Sequence, residues 1–374
     1  MSTSKTRQEL DPEAPTPAEI ESPPEQPAQR RADDPDITGV IDDLIHQVGG
    51  KPGTFDARLV RELIVAGLKL IPDGRGTGEL KLITAAVKEL RYAYRVFGQY
   101  PEPHKVSIFG SARTSPDHPD YKAAVEFSRL VAQVGWMVIT GAGGGIMEAG
   151  HIGPGRAASF GVAIRLPFET TANDVIAGDE KLIHFRYFFT RKLMFLSQAE
   201  AVVLFPGGFG TLDEAYETLT LVQTGKASPM PIVMIEGEGG CYWRQWEETI
   251  RINLLARGLI SEEDLNICTI AKDPADAVEH LVRFYRIYHS SRYVRDDLVI
   301  RLNHRLREED VERLNDEFAV LVKKGRIVQR GPYEAEDDHL ELPRLAFTHT
   351  RNKFGLVRRL IDRINECEPA PEQA

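Results

Sequence analysis

Cysteine is scarce: Cys241, Cys268 and Cys367 are the only three in 374 residues. They are too few and too scattered for a disulfide scaffold or a CxxC metal site, so no metal and a reducing, cytoplasmic setting are expected. Long apolar runs are missing too. No stretch approaches the ~18 residues of a spanning helix, and MSTSKTRQEL at the start lacks the apolar core of a signal peptide, which argues against a membrane and against export. Basic excess is also absent, with 46 Lys and Arg against 56 Asp and Glu, a net charge of -10 and a pI near 5.6. Non-specific nucleic-acid binding is therefore not expected, although a local cleft for one phosphate stays open. Residues 1–36 hold seven prolines and hardly any large apolar side chain. Such a segment cannot offset its ordering entropy, and a disordered tail is expected.

What is present supports a sizeable core: 42% of the residues are apolar, in a chain long enough for two domains or one with appendages. From Ile37 the positions Val40, Ile41, Leu44, Ile45 and Val48 recur at helical spacing up to Gly49-Gly50. A second helix is marked by Leu59, Leu63, Val65 and Leu68, and a third runs from Leu80 to Tyr94. Residues 37–99 thus read as a helical preface. After Pro103 the runs KVSIFG, WMVIT, FGVAIRLP, AVVLFPGG and PIVMIE alternate with helical or loop segments. Continuous apolar strands imply cover on both faces, hence an α/β fold, a Rossmann-like doubly wound parallel sheet over residues 100–290, with LNICTIA as a further edge strand. Residues 291–374 read as a small α+β appendage in βαββα order: strand LVIRL, a helix over 308–324 stopped by Gly325, strands RIVQ and LPRLAF, and a helix over 352–365.

Two glycine-rich turns follow strands: TGAGGGIMEAG (residues 140–150) and LFPGGFGTLDE (residues 204–214). Glycines there let main-chain N–H groups approach an anion, and the following helix N-terminus adds positive charge. A dinucleotide fingerprint is not met, because Ile146 stands where the third glycine belongs; a P-loop is not met, because PGGFGTLDE has no lysine. A mononucleotide-sized site with acids nearby remains. Thr211-x-x-Glu214 also fits a capping box, in which the two side chains satisfy the helix start. In FRYFFTRKLMF, the pair Arg191-Lys192 interrupts an apolar helix just ahead of the second turn; it either snorkels to solvent or serves a phosphate, for which Arg191 is a planar multiple donor.

Taken together, Gly143-Gly144-Gly145 followed by Met147, Arg191-Lys192, and Pro206-Gly207-Gly208-x-Gly210-Thr211-x-x-Glu214 resemble the LONELY GUY (LOG) family, whose members were often labelled lysine decarboxylases. The resemblance covers roughly residues 100–290. It implies a phosphoribohydrolase without a cofactor, which splits a nucleoside 5'-monophosphate such as AMP or a cytokinin ribotide into free base and ribose 5-phosphate. It also implies a homodimer or larger homo-oligomer. Arg191 and Glu214 match the family's catalytic pair. Substrate contacts are implied for Gly144, Gly145, Met147, Lys192, Gly207, Gly208, Gly210, Thr211, Asp213 and Thr220, with Glu169 an upstream match or an ordinary loop acid. Thr140, Ala142 and Glu148 depart from the minimal members and leave base specificity open. Pyridoxal-type decarboxylation needs a Schiff-base lysine, and none sits among the glycines; Lys192 is the nearest. The alternative is a noncatalytic carrier or regulator that binds a nucleotide or a molybdenum cofactor, with Arg292, Arg295, Arg301 and Arg305 belonging to an effector module or to solvated faces.

Overall fold

A computed structural model describes residues 31–102, 104–165 and 172–370, and the chain divides into two compact units, residues 1–83 and 84–374. Most of the expected N-terminal tail, and Glu169, lie outside the described residues. The first unit holds α1 (Pro35–Gln47), α2 (Phe55–Lys69) and the start of α3 (Thr77–Phe97). Proline opens α1, where its missing N–H costs nothing. Thr54 caps α2 by accepting from the Ala57 N–H at 3.3 Å. The two helices share a small core of Ile41, Ile45 and Ala57.

In the second unit, α3 leads into β1 (Lys105–Phe109), α4 (Pro119–Gln133), β2 (Met137–Thr140), α5 (Ile146–Ile152), β3 (Ser159–Ile164), β4 (Leu182–Phe185), α6 (Phe188–Ser197) and β5 (Ala201–Leu204). Then come α7 (Phe209–Gln223), β6 (Ile232–Met234), α8 (Tyr242–Ile250), β7 (Cys268–Ile270) and α9 (Pro274–Phe284). The strands form one parallel sheet in the order β4-β3-β2-β1-β5-β6-β7. Alternation along a strand feeds two cores. Ala201, Val203 and Phe205 pack with Phe127, Val131 and Leu281 on one side, while Val202 and Leu204 pack with Met194, Phe195 and Trp243 on the other. Each such fully buried side chain contributes about 1.5–3 kcal/mol. This is the doubly wound sheet expected from the alternating apolar runs. Strand β4 was not anticipated: it is four residues long at the sheet edge, and His184 within it is exposed.

The C-terminal part is a four-stranded antiparallel sheet, β8 (Tyr288–Val294), β9 (Asp297–Leu302), β10 (Val322–Arg330) and β11 (Arg344–His349), in the order β10-β11-β9-β8. Helices α10 (Glu308–Phe318) and α11 (Phe354–Glu366) share its core through Leu314, Leu360 and Ile364. The βαββα order therefore needs correcting to ββαββα, because YHSSRYV forms a strand without an apolar alternation to announce it. Gly325 does not stop a helix either. The helix ends at Phe318, and Gly325 (φ +79°) lies inside β10 where the register with β11 shifts. Arg301 is not on a solvated face: it is buried and paired with Glu336 and Asp338. No helix among the described residues is long and apolar enough to cross a membrane.

Candidate active site

The strand order fixes where a site can form. From β1 the chain winds outward through β2, β3 and β4, then returns to place β5 on the other flank of β1. The carboxyl ends of β1 and β5 therefore bracket the point where the winding reverses, which is where open α/β sheets leave a crevice. Three loops meet there and are tied together by main-chain bonds. The Ser111 N–H after β1 donates to Pro206 O after β5 (3.1 Å), and the Ile146 N–H, opening α5 after β2, donates to Ser111 O (3.0 Å).

Glycine is required at two of these close approaches. Gly145 has φ +63°, and a Cβ there would fall 2.4 Å from Ser111 O. A Cβ on Gly207 would fall 2.1 Å from Thr211 Oγ1. Gly207 is held from behind as well, its carbonyl accepting from the Tyr242 hydroxyl at 2.8 Å. The loop after β2 is fixed by Asn173, whose N–H donates to Ala142 O (2.8 Å) and whose Nδ2 donates to Gly143 O (3.0 Å). Asn173 also touches His151, which is fully buried against Thr140 and held below the usual imidazole range by that burial.

Helix α7 starts at Phe209 with Gly208 as its cap residue and no side-chain cap. Thr211 is thus the third helical residue and Glu214 the sixth, so the capping box does not form. Its first-turn N–H groups have no partner within the helix and face the crevice with the positive end of the dipole. Glu214 is buried, and its Oε2 accepts no hydrogen bond among the described residues. Burial pushes its carboxyl up from 4.5 to about 7, against the opposing pull of Lys192 and then Arg191. Lys192 Nζ lies 3.9 Å from Glu214 Oε2, 2.8 Å from Asp213 Oδ2 and 2.6 Å from Glu217 Oε2. Asp213 and Glu217 pair with the ammonium, and the Lys192 pKa stands above its ordinary value despite desolvation.

Arg191, one residue earlier on α6, donates from Nε to Val162 O (2.8 Å) and lies over the Phe195 ring at 5.1 Å. Its Nη2 reaches the loop after β2, where only the missing side chain of Gly141 leaves room for it beside Met147. Arg191, Thr211, Asp213 and Glu214 line one side of a cavity of about 340 Å³, with Gly141, Met147, Ile164, Phe188 and Gly210 around it. A second hollow of about 490 Å³ adjoins at Ala112 and is lined by Ser111, Arg113, Gly208, Phe209 and Leu212.

Of the residues singled out in the sequence, Gly144 and Gly145 lie in the turn after β2 and Gly207 in the turn after β5, and none of the three is among the residues lining the two hollows. Thr220 is not brought to it. It sits two turns further along α7, exposed, with its hydroxyl on Tyr216 O (2.7 Å), and lines a separate hollow with Trp246. The loop Gly110-Ser111-Ala112-Arg113 was missed. Its signal was a glycine directly behind KVSIF, as in the other two turns. Asn173 carried no comparable signal.

A Rossmann-like fold with glycine turns at its switch point and a buried Glu214 beside the half-buried Arg191 and Lys192 defines a class of small-ligand sites. Residues 144–281 match the model of the family described as possible lysine decarboxylase, so this domain is a LOG-family domain. No curated protein gives a significant match. Similar solved structures include the molybdenum cofactor binding protein from Rippkaea orientalis, at 21% identity over 48% of this chain and 95% of that one, with a TM-score of 0.34. The molybdenum cofactor carrier protein from Chlamydomonas reinhardtii is 17% identical over 47% of this chain and 94% of that one (TM-score 0.33). DNA processing protein A from Helicobacter pylori is 12% identical over 50% and 83% (TM-score 0.31).

Proposed function

We infer that the protein is a nucleoside 5'-monophosphate phosphoribohydrolase: water cleaves the bond between base and ribose, the hydroxyl goes to the anomeric carbon, and the proton goes to the departing base. The observation that carries this is Glu214, a buried carboxylate with an Oε2 that accepts no hydrogen bond among the described residues, lining the same cavity as Arg191 at the mouth of a glycine-rich turn. A ribosyl transition state gains positive charge, and a carboxylate fixed beside it is stabilised more strongly then than in the ground state. Glycine N–H groups at Gly207, Gly208 and Gly210, with the Thr211 hydroxyl, take the 5'-phosphate. Arg191 steadies the Glu214 carboxylate or the leaving base. Lys192 is a poor Schiff-base nucleophile, because its ammonium is kept protonated by Asp213 and Glu217, and this weighs against decarboxylase chemistry.

The test is a panel of AMP, CMP, GMP and isopentenyl-AMP, with chromatography for free base and ribose 5-phosphate. Release of base from at least one nucleotide, lost by at least ~10²-fold in Glu214→Gln, is expected. Tight retention of a nucleotide with no turnover would favour a carrier instead. A homo-oligomer belongs to the same proposal and is checked by light scattering.

A further inference from the structure

The parallel sheet has a second end. Five residues of β1, about 17 Å, separate the crevice from a cavity of about 560 Å³ beneath the amino ends of β1, β5 and β6. His104 precedes β1 there, and Glu200 precedes β5. The facing wall comes from the C-terminal module: His289, Ser290 and Ser291 of β8, Asn303 after β9, and His339 from the loop between β10 and β11.

That wall is built rather than incidental. His339 has φ +49°, and its carbonyl accepts from Arg344 Nη1 at 2.8 Å. Arg344 and the Glu336 side chain are fully buried, and Arg301 bonds both Glu336 and Asp338, the residue before His339. A buried ion network of this kind is costly to assemble, and here it sets one imidazole over a hollow. The His339 ring lies 4.5 Å from the His289 ring, whose Nδ1 meets Ser290 Oγ at 2.9 Å.

The charges around this pair select the ligand. Burial, then the positive neighbours His339, Arg301 and His104, hold His289 below the usual imidazole range, with Glu341 pulling the other way; Glu341 Oε1 lies 3.9 Å from His339 Nδ1, on the loop between β10 and β11. Of the acids on the wall, Glu102 is exposed, and Glu200 Oε2 already accepts the Lys105 N–H at 2.7 Å. An anion in the hollow offsets the positive neighbours that hold His289 down. No cluster of three or more metal-ligating side chains is placed for a metal ion among the described residues.

We propose that this cavity is a second ligand site, separate from the nucleotide crevice, which takes a small oxyanion held by the imidazoles of His289 and His339 and by the Ser290 hydroxyl, with the Ser291 hydroxyl shared with Tyr288 at 3.0 Å. Binding and proton uptake are linked at His289: the anion favours its charged form, so affinity rises as pH falls.

The experiment follows the histidine C2–H resonances of the full chain by NMR, assigned with His289→Asn and His339→Asn, while inorganic phosphate and citrate are added in separate titrations at pH 6 and pH 8. Saturating shifts of both resonances are expected, with tighter binding at pH 6 than at pH 8. A response to phosphate alone assigns a phosphate monoester; a response to citrate alone assigns a carboxylate. His289→Asn, checked for an unchanged Tm, is expected to lose the His339 response. Resonances unmoved by either anion at concentrations on the order of 10 mM, or moved only by Zn²⁺, overturn the proposal.

Discussion

Glu214→Gln should make the protein more stable at alkaline pH while silencing it. Folding raises the Glu214 pKa from 4.5 to about 7, so the folded state disfavours the ionised form. The sign follows from proton counts: between those two values the folded protein holds a proton that the unfolded chain has released, and stability falls as pH rises. Above pH 7 the loss is complete. At 1.36 kcal/mol per pH unit, 2.5 units amount to about 3 kcal/mol at pH 8, and to about 1 kcal/mol at pH 5, where the unfolded chain is only partly more ionised. Glutamine keeps the shape and carries no charge. In a chain of this size, the predicted rise in Tm at pH 8 is about 5 °C, shrinking to roughly 2 °C at pH 5. Calorimetry at both pH values reads it directly. An unchanged or lowered Tm at pH 8, or a gain equal at both pH values, would mean that Glu214 is comfortably ionised in the folded protein, and the picture of a desolvated carboxylate awaiting a cationic transition state would fail.

Lys192→Met removes the larger of the two cationic influences that hold the Glu214 pKa down; if ionised Glu214 is needed, the acid limb of kcat/KM, expected near pH 7, should move to higher pH, and a limb that stays or moves down refutes the role. Gly141→Ala places a Cβ 2.4 Å from Arg191 Nη2 and 2.5 Å from Met147 Sδ. Both are ends of flexible side chains, so folding should survive with a small change in Tm, whereas displacing the guanidinium should lower kcat/KM by roughly 10²-fold. Arg344→Met leaves Glu336 buried with part of its positive partner gone, and a loss of about 3–5 kcal/mol is expected from denaturant unfolding of the full chain, with the His289 and His339 environment altered in the same variant.

How far the sequence could lead depends on whether each feature is local. The central strands were legible because burial on both faces forces runs such as AVVL, all four residues of which are buried. At the edges that pressure is gone: β4 exposes His184, and β8 buries only the ends of YHSSRYV, so hydrophobic pattern was silent about both. Gly325 looked like a helix stop because glycine usually is one, yet antiparallel pairing with β11 recruits it into a strand at a register shift.

The same distinction runs through the site. PGGFGTLDE and the Arg-Lys pair are contiguous and could be recognised, but the meaning of Thr211 and Glu214 turned on where α7 begins. A start at Phe209 rather than after Thr211 frees Glu214 from capping and buries it beside Lys192. That start depends on Gly207 meeting Ser111 of a loop almost a hundred residues earlier, across the β1–β5 switch point. The loop after β1 contributes through strand order, which no local spacing encodes. A substitution at Ser111 or Ala112 that leaves PGGFGTLDE intact should therefore disturb the Glu214 carboxyl as surely as a change within the motif itself.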